Sequence, residues 1–398
     1  MINIVNNIGT RGRTYLDYAA TTPTHPDVIT EMIPYFGNRF GNPSSIYSYG
    51  HEAKQAIEHS RRKVAELISA GEDEIIFTSG GTESDNMALK GVVAVCGDKK
   101  NHIITTNIEH HAVLNTCRFL EKSGCIVRYL SVDKNGMVDP DDVRKSITDK
   151  TLLISIMHAN NEVGTIEPIA EISKIARESG VLFHSDAVQT AGHIPVDVNE
   201  LGVDLLSVSA HKFHGPKGIG ALYVRKGTKI GSIIHGGEQE KGRRASTENV
   251  PGIVGMGKAA EIQKDVLKAE AELQTSLRDR LIKGLLSSID HSRLNGHPVR
   301  RLPNNVNISF DYVEGESIVL SLDMEGICAS TGSACSSANL EASHVLLALG
   351  LSHERSHGSC RFSLGKWTRV EDIDRVIEIM PDIVARLRKM SPLFTGSN

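Results

Sequence analysis

The chain has 398 residues, of which 40% are hydrophobic and 23% charged, with a formal net charge of −4. This length is enough for a large core and favours two domains. The mild negative charge gives no electrostatic reason to expect binding to nucleic acid or to a membrane surface. No apolar run approaches the roughly 18 residues of a spanning helix, and residues 1–22 lack the pattern of a signal peptide. We therefore expect a cytoplasmic protein.

The cysteines do not predict a disulfide framework, and one match to a zinc motif lacks the context of a metal site. The six cysteines are too few for a disulfide scaffold in so long a chain, and none pair as C-x-x-C. HERSH, from His353 to His357, matches a zinc-protease pattern. Gly350 and Gly358 bracket it, however, and no apolar helical face runs through it. We predict no metal site.

In chain order, the first two-thirds alternates helical and strand patterns. HEAKQAIEHSRRKVAELISA predicts a helix with apolar residues on one face. Seven apolar runs predict buried strands: DEIIFTS, NHIITTNIEH, CIVRYLSV, TLLISIMHAN, VLFHSDAV, DLLSVSAHK and GIGALYVRK. Strands separated by helical segments imply crossover connections, so we predict an α/β fold with a mostly parallel sheet covered by helices.

Beyond about residue 260 the pattern changes. AEAELQTSLRDRLIKGLLSSI predicts a long helix, and NNVNISFDY, ICAST and RFSLGKW predict strands before a final helix, VEDIDRVIEIMPDIVARLRKM. This less regular alternation predicts a smaller α+β domain. We place the large domain at residues 15–260 and the small domain, which carries Cys335, at residues 1–14 and 261–398.

Polar side chains collect where the predicted strands end. Four of the strands end in such residues. IITTNIEH ends in His110 and His111, LISIMHAN in Asn160 and Asn161, LFHSDAV in Asp186 with Gln189 close behind, and LLSVSAHK in Ser209, His211 and Lys212. In a parallel sheet these ends share one edge, where ligands bind. A lysine for a Schiff base, a carboxylate for a pyridine nitrogen and an imidazole to stack suit pyridoxal phosphate. Gly80-Gly81-Thr82 at a helix start suits its phosphate. Spacing alone leaves open that these are ordinary loop residues.

One further cysteine stands in an unusual setting. Cys335 lies in STGSACSS, a run of small and polar residues with no large apolar neighbour before Leu340. Free cysteines are usually buried as small hydrophobes, whereas functional loops often have this composition. From its setting alone, Cys335 is either an idle thiol in a loose turn or a nucleophile that moves.

Nine segments together resemble a known family. They are YLDYAATTP, FGNPSS, FTSGGTESDN, EHHAV, HANNEVGT, HSDAVQTAG, SVSAHKFHGPKGIGALYV, STGSACSS and RFSLGKWT. From about Tyr15 to the last helix, the chain resembles the cysteine desulfurases of the NifS/IscS type, a branch of the fold-type I pyridoxal phosphate enzymes. The resemblance implies conversion of L-cysteine to L-alanine, with the sulfur passed to Cys335 as a persulfide. That sulfur would supply iron–sulfur cluster assembly or other thio-cofactor and tRNA modification pathways.

The resemblance also implies a seven-stranded large-domain sheet and roles for individual residues. Lys212 would form the Schiff base, and Asp186 would pair with the pyridinium nitrogen. His110 would stack on the ring and, as a catalytic residue with Lys212 and Cys335, would help to manage the protons for the thiolate. The remaining implied roles are Gln189 at the phenolic oxygen; Gly81, Thr82, Ser209, His211 and Thr247 of the partner subunit at the phosphate; Asn161 and Arg361 at the substrate carboxylate; and Cys335 as the nucleophile. The implied partners are a second copy of the chain and a sulfur acceptor such as an iron–sulfur scaffold.

Some features differ from the family, and other functions share its scaffold. The family usually has R-S-G-T where this chain has Arg244-Ala245-Ser246-Thr247. Selenocysteine lyases and other class V aminotransferase-like enzymes are alternatives, although an aminotransferase needs no cysteine nucleophile. A non-catalytic assembly platform is a third alternative, and the presence of Lys212, Asp186, His110 and Cys335 argues against it.

Overall fold

The computed structural model describes residues 13–96, 99–331, 342–392 and 394. Cys335, the predicted nucleophile, lies outside these residues. Across the described ranges, no helix combines the length and apolarity needed to cross a membrane.

Seven strands in the described ranges form the central sheet, in the order β2-β8-β7-β6-β5-β3-β4. The strands are β2 (Ile75–Thr78), β3 (His102–Thr106), β4 (Ile126–Leu130), β5 (Thr151–Ser155), β6 (Leu182–Asp186), β7 (Leu205–Ser209) and β8 (Gly220–Val224). The five strands from β7 to β4 in this order are mutually parallel, whereas β8 runs antiparallel to β2 and β7. The predicted mostly parallel, seven-stranded sheet is confirmed.

Both faces of the sheet are buried because its strands are apolar at successive positions. Ile104 and Leu206 point into one core, while their chain neighbours Ile103 and Leu205 point into a second core on the opposite face. Helices provide the other side of each core: α1 (Pro26–Met32), α2 (Ser48–Leu67), α3 (Gly81–Cys96), α4 (His111–Lys122), α5 (Pro140–Ser146), α6 (Ile169–Glu178) and α7 (Val198–Leu201). The parallel strands therefore open their carboxyl ends at one edge, as predicted.

A separate core lies in the last third of the chain. Its antiparallel sheet has the order β12-β10-β9, and β1 pairs with β11 in a two-stranded parallel sheet. The elements are β1 (Thr14–Tyr15), β9 (Ser292–Leu294), β10 (Asn305–Phe310), β11 (Ile327–Cys328), β12 (Ser359–Ser363), α9 (Gly315–Met324), α10 (His344–Ala348), α11 (His353–His357) and α12 (Val370–Met390). Leu16 joins this core, so the N-terminal segment packs with the end of the chain.

One helix crosses the predicted domain boundary. α8 (Val250–Ser288) is a continuous helix of 39 residues, which begins with the small-residue stretch 252–259 and continues through the helix predicted from AEAELQTSLRDRLIKGLLSSI. It packs on α2 near its start and on α12 further along. The division at residue 260 therefore falls inside a helix, and the domain assignment stays a prediction.

Candidate active site

A cavity of about 450 Å³ opens at the carboxyl ends of the parallel strands. Ten of the predicted site residues line it: Gly81, Thr82, His110, Asn161, Asp186, Gln189, Ser209, His211, Lys212 and Arg361. Strand ends β6 and β7 supply Asp186 and Ser209, and the loops after β3 and β5 supply His110 and Asn161. The topology thus brings together residues that are separated by up to 280 positions in the sequence.

The amine of Lys212 is held by backbone carbonyls at one side of this cavity. Its Nζ donates hydrogen bonds to the carbonyl oxygens of Ala19 (2.6 Å) and Ala20 (2.9 Å). Gln189 Nε2 donates to the same Ala19 carbonyl at 3.1 Å. Two residues of the YLDYAATTP segment therefore hold the amine of Lys212 in position.

Asp186 is a buried carboxylate that faces the cavity from the end of β6. Its Oδ1 accepts a hydrogen bond from the Val188 N–H at 2.9 Å. Burial raises the pKa of Asp186 to about 6, against the opposing effects of that N–H and of the positive charge on Lys212. A cationic nitrogen placed against this carboxylate would favour its ionised form.

A second acid, Asp85, lies behind Asp186 in a buried polar cluster. Asp85 Oδ1 is 3.7 Å from His184 Nε2 and has no hydrogen-bond partner among the described residues. The His184 ring is held between two hydroxyls, with Nδ1 2.8 Å from Ser155 Oγ and Nε2 3.0 Å from Ser207 Oγ. Burial, followed by the negative charge of Asp186, raises the pKa of Asp85 well above its usual range. Burial lowers the pKa of His184 to about 3, so the imidazole is neutral.

The start of α3 lies at one corner of the cavity and is suited to hold an anion. Gly80 has a φ of +152°, in the region that favours glycine, and a Cβ added to Gly81 would lie 2.7 Å from Val188 Cγ2. The glycines therefore leave the first N–H groups of this 16-residue helix accessible beside Thr82. Ser209 and His211 line the same cavity. Burial and the neighbouring Lys212 lower the pKa of His211 to about 4, so it meets a ligand as a neutral ring.

His110 caps α4 with its ring. Its Nδ1 accepts a hydrogen bond from the Ala112 N–H at 3.1 Å, which leaves the proton of the neutral ring on Nε2. Burial and the charge on Lys212 lower the pKa of His110 to about 4. The ring is therefore a fixed, neutral wall of the cavity, as a stacking group requires.

Arg361 enters the cavity from β12, in the second core. Its guanidinium donates to the Asn161 carbonyl oxygen (3.0 Å) and to Asp17 Oδ1 (2.9 Å). A third nitrogen of the guanidinium, Nε, is buried and has no hydrogen-bond partner among the described residues. An unsatisfied buried donor on an arginine is a ready contact for a carboxylate.

Two predicted site residues are not in this cavity. Thr247 lines a different cavity of about 230 Å³, together with Ser79, Arg244 and Ser246. Its predicted contact is with a partner subunit, so this position leaves that prediction untested. Cys335 lies outside the described residues, and its role also stays a prediction.

Comparisons with known proteins place this site in a family. A model of the family described as aminotransferase class-V matches residues 14–376. Cysteine desulfurase IscS of Methanosarcina thermophila is 57% identical over 388 residues, covering 97% of this chain and 96% of that protein. The chain belongs to the class-V aminotransferases, among the cysteine desulfurases of the NifS/IscS type.

Solved structures agree with this membership. A NifS-like protein superposes with a TM-score of 0.89 at 40% identity, covering 94% of this chain and all of that one. A structure described as SspA in complex with cysteine gives a TM-score of 0.79 at 37% identity, covering 88% of this chain and 98% of that one. The predicted fold-type I architecture is thereby confirmed. Enzymes of these families depend on pyridoxal phosphate.

The cavity of this cysteine desulfurase family member also contains residues that the sequence did not assign. Asp85, His111, Glu162 and His344 line it. His111 directly follows the predicted His110, and His344 follows the cysteine segment, so chain proximity was the available signal. No sequence signal pointed to Asp85 or Glu162, because an acidic residue in a helix or loop is usually exposed to solvent. Within the described ranges, no group of three or more histidine, cysteine or acidic residues is placed to hold a metal ion.

Proposed function

We propose that this chain is a cysteine desulfurase that binds pyridoxal phosphate and transfers the sulfur of L-cysteine to Cys335, releasing L-alanine. The observation that carries the proposal is the convergence of Lys212, Asp186, His110 and the unsatisfied Arg361 Nε on one cavity. The names of the relatives, which match over nearly their whole length, support the same activity.

The cavity has the features needed to hold pyridoxal phosphate. The N–H groups at the start of α3, with Thr82, Ser209 and His211, would hold the phosphate, and Asp186 would hold the ring nitrogen. His110 would cover one face of the ring, and Lys212 would carry the Schiff base. When bound, the cofactor would supply an electron sink for the substrate's Cα.

The chain's own groups would orient the substrate and move its protons. Arg361 and Asn161 would hold the carboxylate of L-cysteine, since a guanidinium fork meets a carboxylate with two hydrogen bonds. Lys212 would take and return the Cα proton at Nζ. Asp186 would stay ionised to keep the ring nitrogen protonated.

Cys335 would complete the transfer. Its thiolate would attack the sulfur of the substrate, so that the substrate's Cβ–S bond breaks and an S–S bond forms. One L-cysteine and one Cys335 thiol then give one L-alanine and one Cys335 persulfide. A persulfide must pass its outer sulfur on before the next turnover, so we propose a sulfur-acceptor protein, such as an iron–sulfur scaffold, as partner. The cytoplasmic location stays a prediction.

A homodimer is proposed as the working form. Thr247 does not line the proposed cofactor cavity of its own chain, and its implied contact with the phosphate is to that of a second copy. An exposed apolar patch suits that contact: Phe36 and Phe40 are 71% and 69% exposed, and Ile46, Tyr47 and Tyr49 are also exposed. Patches of this kind mark interaction surfaces.

The proposal is tested by supplying L-cysteine to the pyridoxal phosphate-loaded protein and measuring alanine and the persulfide on the Cys335 peptide by mass spectrometry. Equal amounts of both products in the first turnover are expected. Cys335→Ala should retain the visible absorbance of the bound cofactor and form no protein persulfide. Lys212→Ala should lose that absorbance. Alanine without a Cys335 persulfide, or neither product, would overturn the proposal.

A further inference from the structure

Two histidines at the cavity have no part in the proposed function. His111 and His344 both line the cavity, and their ring centroids are 4.8 Å apart at an angle of 41°. His111 is the first residue of α4, and His344 is the first residue of α10. In the chain, His344 comes shortly after Cys335. The pair therefore lies at the cavity in which the substrate would bind.

The hydrogen bond of His344 fixes its tautomer. His344 Nε2 lies 3.0 Å from the carbonyl oxygen of Glu109. A carbonyl oxygen only accepts, so Nε2 carries the proton and Nδ1 carries the lone pair. No hydrogen bond to this Nδ1 is made by any of the described residues. His344 thus presents a proton-accepting nitrogen.

His110 has the opposite arrangement. Its Nδ1 is already occupied by the Ala112 N–H, so the neutral ring can only donate, through Nε2. Protonating Nδ1 would break the cap of α4 and leave a buried cation beside Lys212. His110 is therefore suited to covering a ring and donating a hydrogen bond, and poorly suited to accepting a proton.

The position of His344 is fixed by packing and by capping. Ser343 Oγ accepts from the Leu346 N–H at 3.2 Å and donates to the buried Glu162 carboxylate at 2.5 Å. α10 packs through Val345 and Leu346 on Ile108, in a cluster that includes Met157, Val163, Leu349 and Leu351. A side chain held in this way can meet a reacting group without a further ordering cost.

The charges around His344 keep it neutral and available. His111 and Arg118 face it from α4, and Glu109 presents a backbone carbonyl from the loop after β3. The Glu162 carboxylate accepts a hydrogen bond from Ser343, the residue before His344. Burial and Arg118 lower the pKa of His344, while the Glu109 carbonyl raises it. The ring is consequently unprotonated at neutral pH. A thiolate formed beside the imidazolium would stabilise that cation.

We infer that His344 accepts, at Nδ1, the thiol proton that is released during sulfur transfer. In this step the S–H bond breaks, an N–H bond forms and the electron pair stays on sulfur, so no oxidant or reductant is needed. The proton is then available to the alanine that leaves. The inference rests on the proposed function, and the thiol is that of the L-cysteine bound in the cavity that His344 lines.

His344→Gln tests the inference, because an amide N–H can replace the bond to the Glu109 carbonyl while the basic nitrogen is lost. Single-turnover alanine formation by the pyridoxal phosphate-loaded protein is measured from about pH 6 to about pH 9. We expect a loss of about 10- to 100-fold near pH 7. The rate should recover as the pH approaches the ordinary thiol pKa of about 8.5. The visible absorbance of the bound cofactor should be unchanged. His353→Gln, in the exposed helix α11, should behave like the unmodified protein.

Alkylation of the Cys335 peptide without substrate, followed by mass spectrometry across the same pH range, separates the two thiols. A shift of the alanine profile alone in His344→Gln is expected, and a shift of both profiles would overturn the inference by identifying Cys335 as the proton donor. An unchanged pH profile, or a defect that is the same at every pH, would overturn the inference. So would a pH-rescued defect in His111→Gln with none in His344→Gln. Failure of the unmodified protein to make alanine at any pH would instead overturn the proposed function.

Discussion

Asp85 and Asp186 are two buried acids that line the same cavity and share one negative charge. The negative charge of Asp186 is, after burial, the largest influence that raises the pKa of Asp85. Ionising both carboxylates in one buried region has a high free-energy cost, because the two negative charges repel each other. Because Asp186 has a hydrogen bond from Val188 and the charge of Lys212 nearby, it keeps the charge, and Asp85 takes the proton.

Asp85→Asn should therefore have little effect on cofactor binding. The amide reproduces a neutral acid in size and charge, so the dissociation constant for pyridoxal phosphate should stay within about threefold of the unmodified value. Asp186→Asn, the matched variant, should weaken binding by about 10- to 100-fold, the contribution of a hydrogen bond to a charged group. Titration of the apo-protein by visible absorbance measures both. Equal losses in the two variants would show that Asp85 carries a required charge.

The affinity for pyridoxal phosphate should fall as the pH drops below about 6. The pKa of Asp186 is raised to about 6 in the folded protein, so the carboxylate is lost by protonation below that pH. Between pH 7 and pH 5 this should cost about tenfold in affinity. A phosphate group titrates in the same range, so the measurement is the difference between the unmodified protein and Asp186→Asn. Parallel pH profiles in the two proteins would contradict the prediction.

Arg361→Lys should raise the KM for L-cysteine by about 10- to 100-fold, because lysine cannot replace the fork that meets a carboxylate. The visible absorbance of the bound cofactor should be unaffected, since Arg361 lies on the second core. Arg355→Lys, at an exposed arginine of α11, is the control and should leave KM unchanged. Steady-state alanine production measures both, and a normal KM in Arg361→Lys would remove Arg361 from the carboxylate site.

Ser246→Gly should stabilise the protein. Ser246 has a φ of 97°, in the region that favours glycine, at the position where the family usually has glycine. Removing the Cβ should raise the free energy of unfolding by about 1 kcal/mol. Ser179→Gly, at an exposed serine with a φ of −93°, is the control and should lower it by about 0.5 kcal/mol. Urea unfolding at fixed protein concentration distinguishes them, and a loss of stability in Ser246→Gly would contradict the argument.

The sequence predicted the sheet and most of the cavity because both depend on local patterns. Apolar runs locate the strands, and parallel topology sends their ends to one edge, so Asp186, Ser209 and Lys212 converge as expected. The resemblance added Arg361, which lies in a different core and could not be reached from strand order. The length of α8 was underestimated, because its small-residue start and its charged continuation have different patterns.

Other parts of the site depend on contacts that no sequence pattern encodes. Asp17 and Arg361 are 344 positions apart, yet their side chains meet at 2.9 Å. The tautomer of His344 follows from a backbone carbonyl, and the raised pKa of Asp85 follows from burial beside a second acid. Such features arise from tertiary packing, so a structure is needed to see them.

The hydrogen bonds that Lys212 donates to the backbone oxygens of Ala19 and Ala20 affect which mutations the site tolerates. The two acceptors are main-chain oxygens, so most point substitutions at positions 19 and 20 leave them in place. An insertion or deletion of one residue between Leu16, which is anchored in the second core, and Thr22, which donates to the His211 carbonyl at 2.9 Å, would move both oxygens together. The number of residues between Leu16 and Thr22 therefore determines where the two oxygens lie relative to the Lys212 amine.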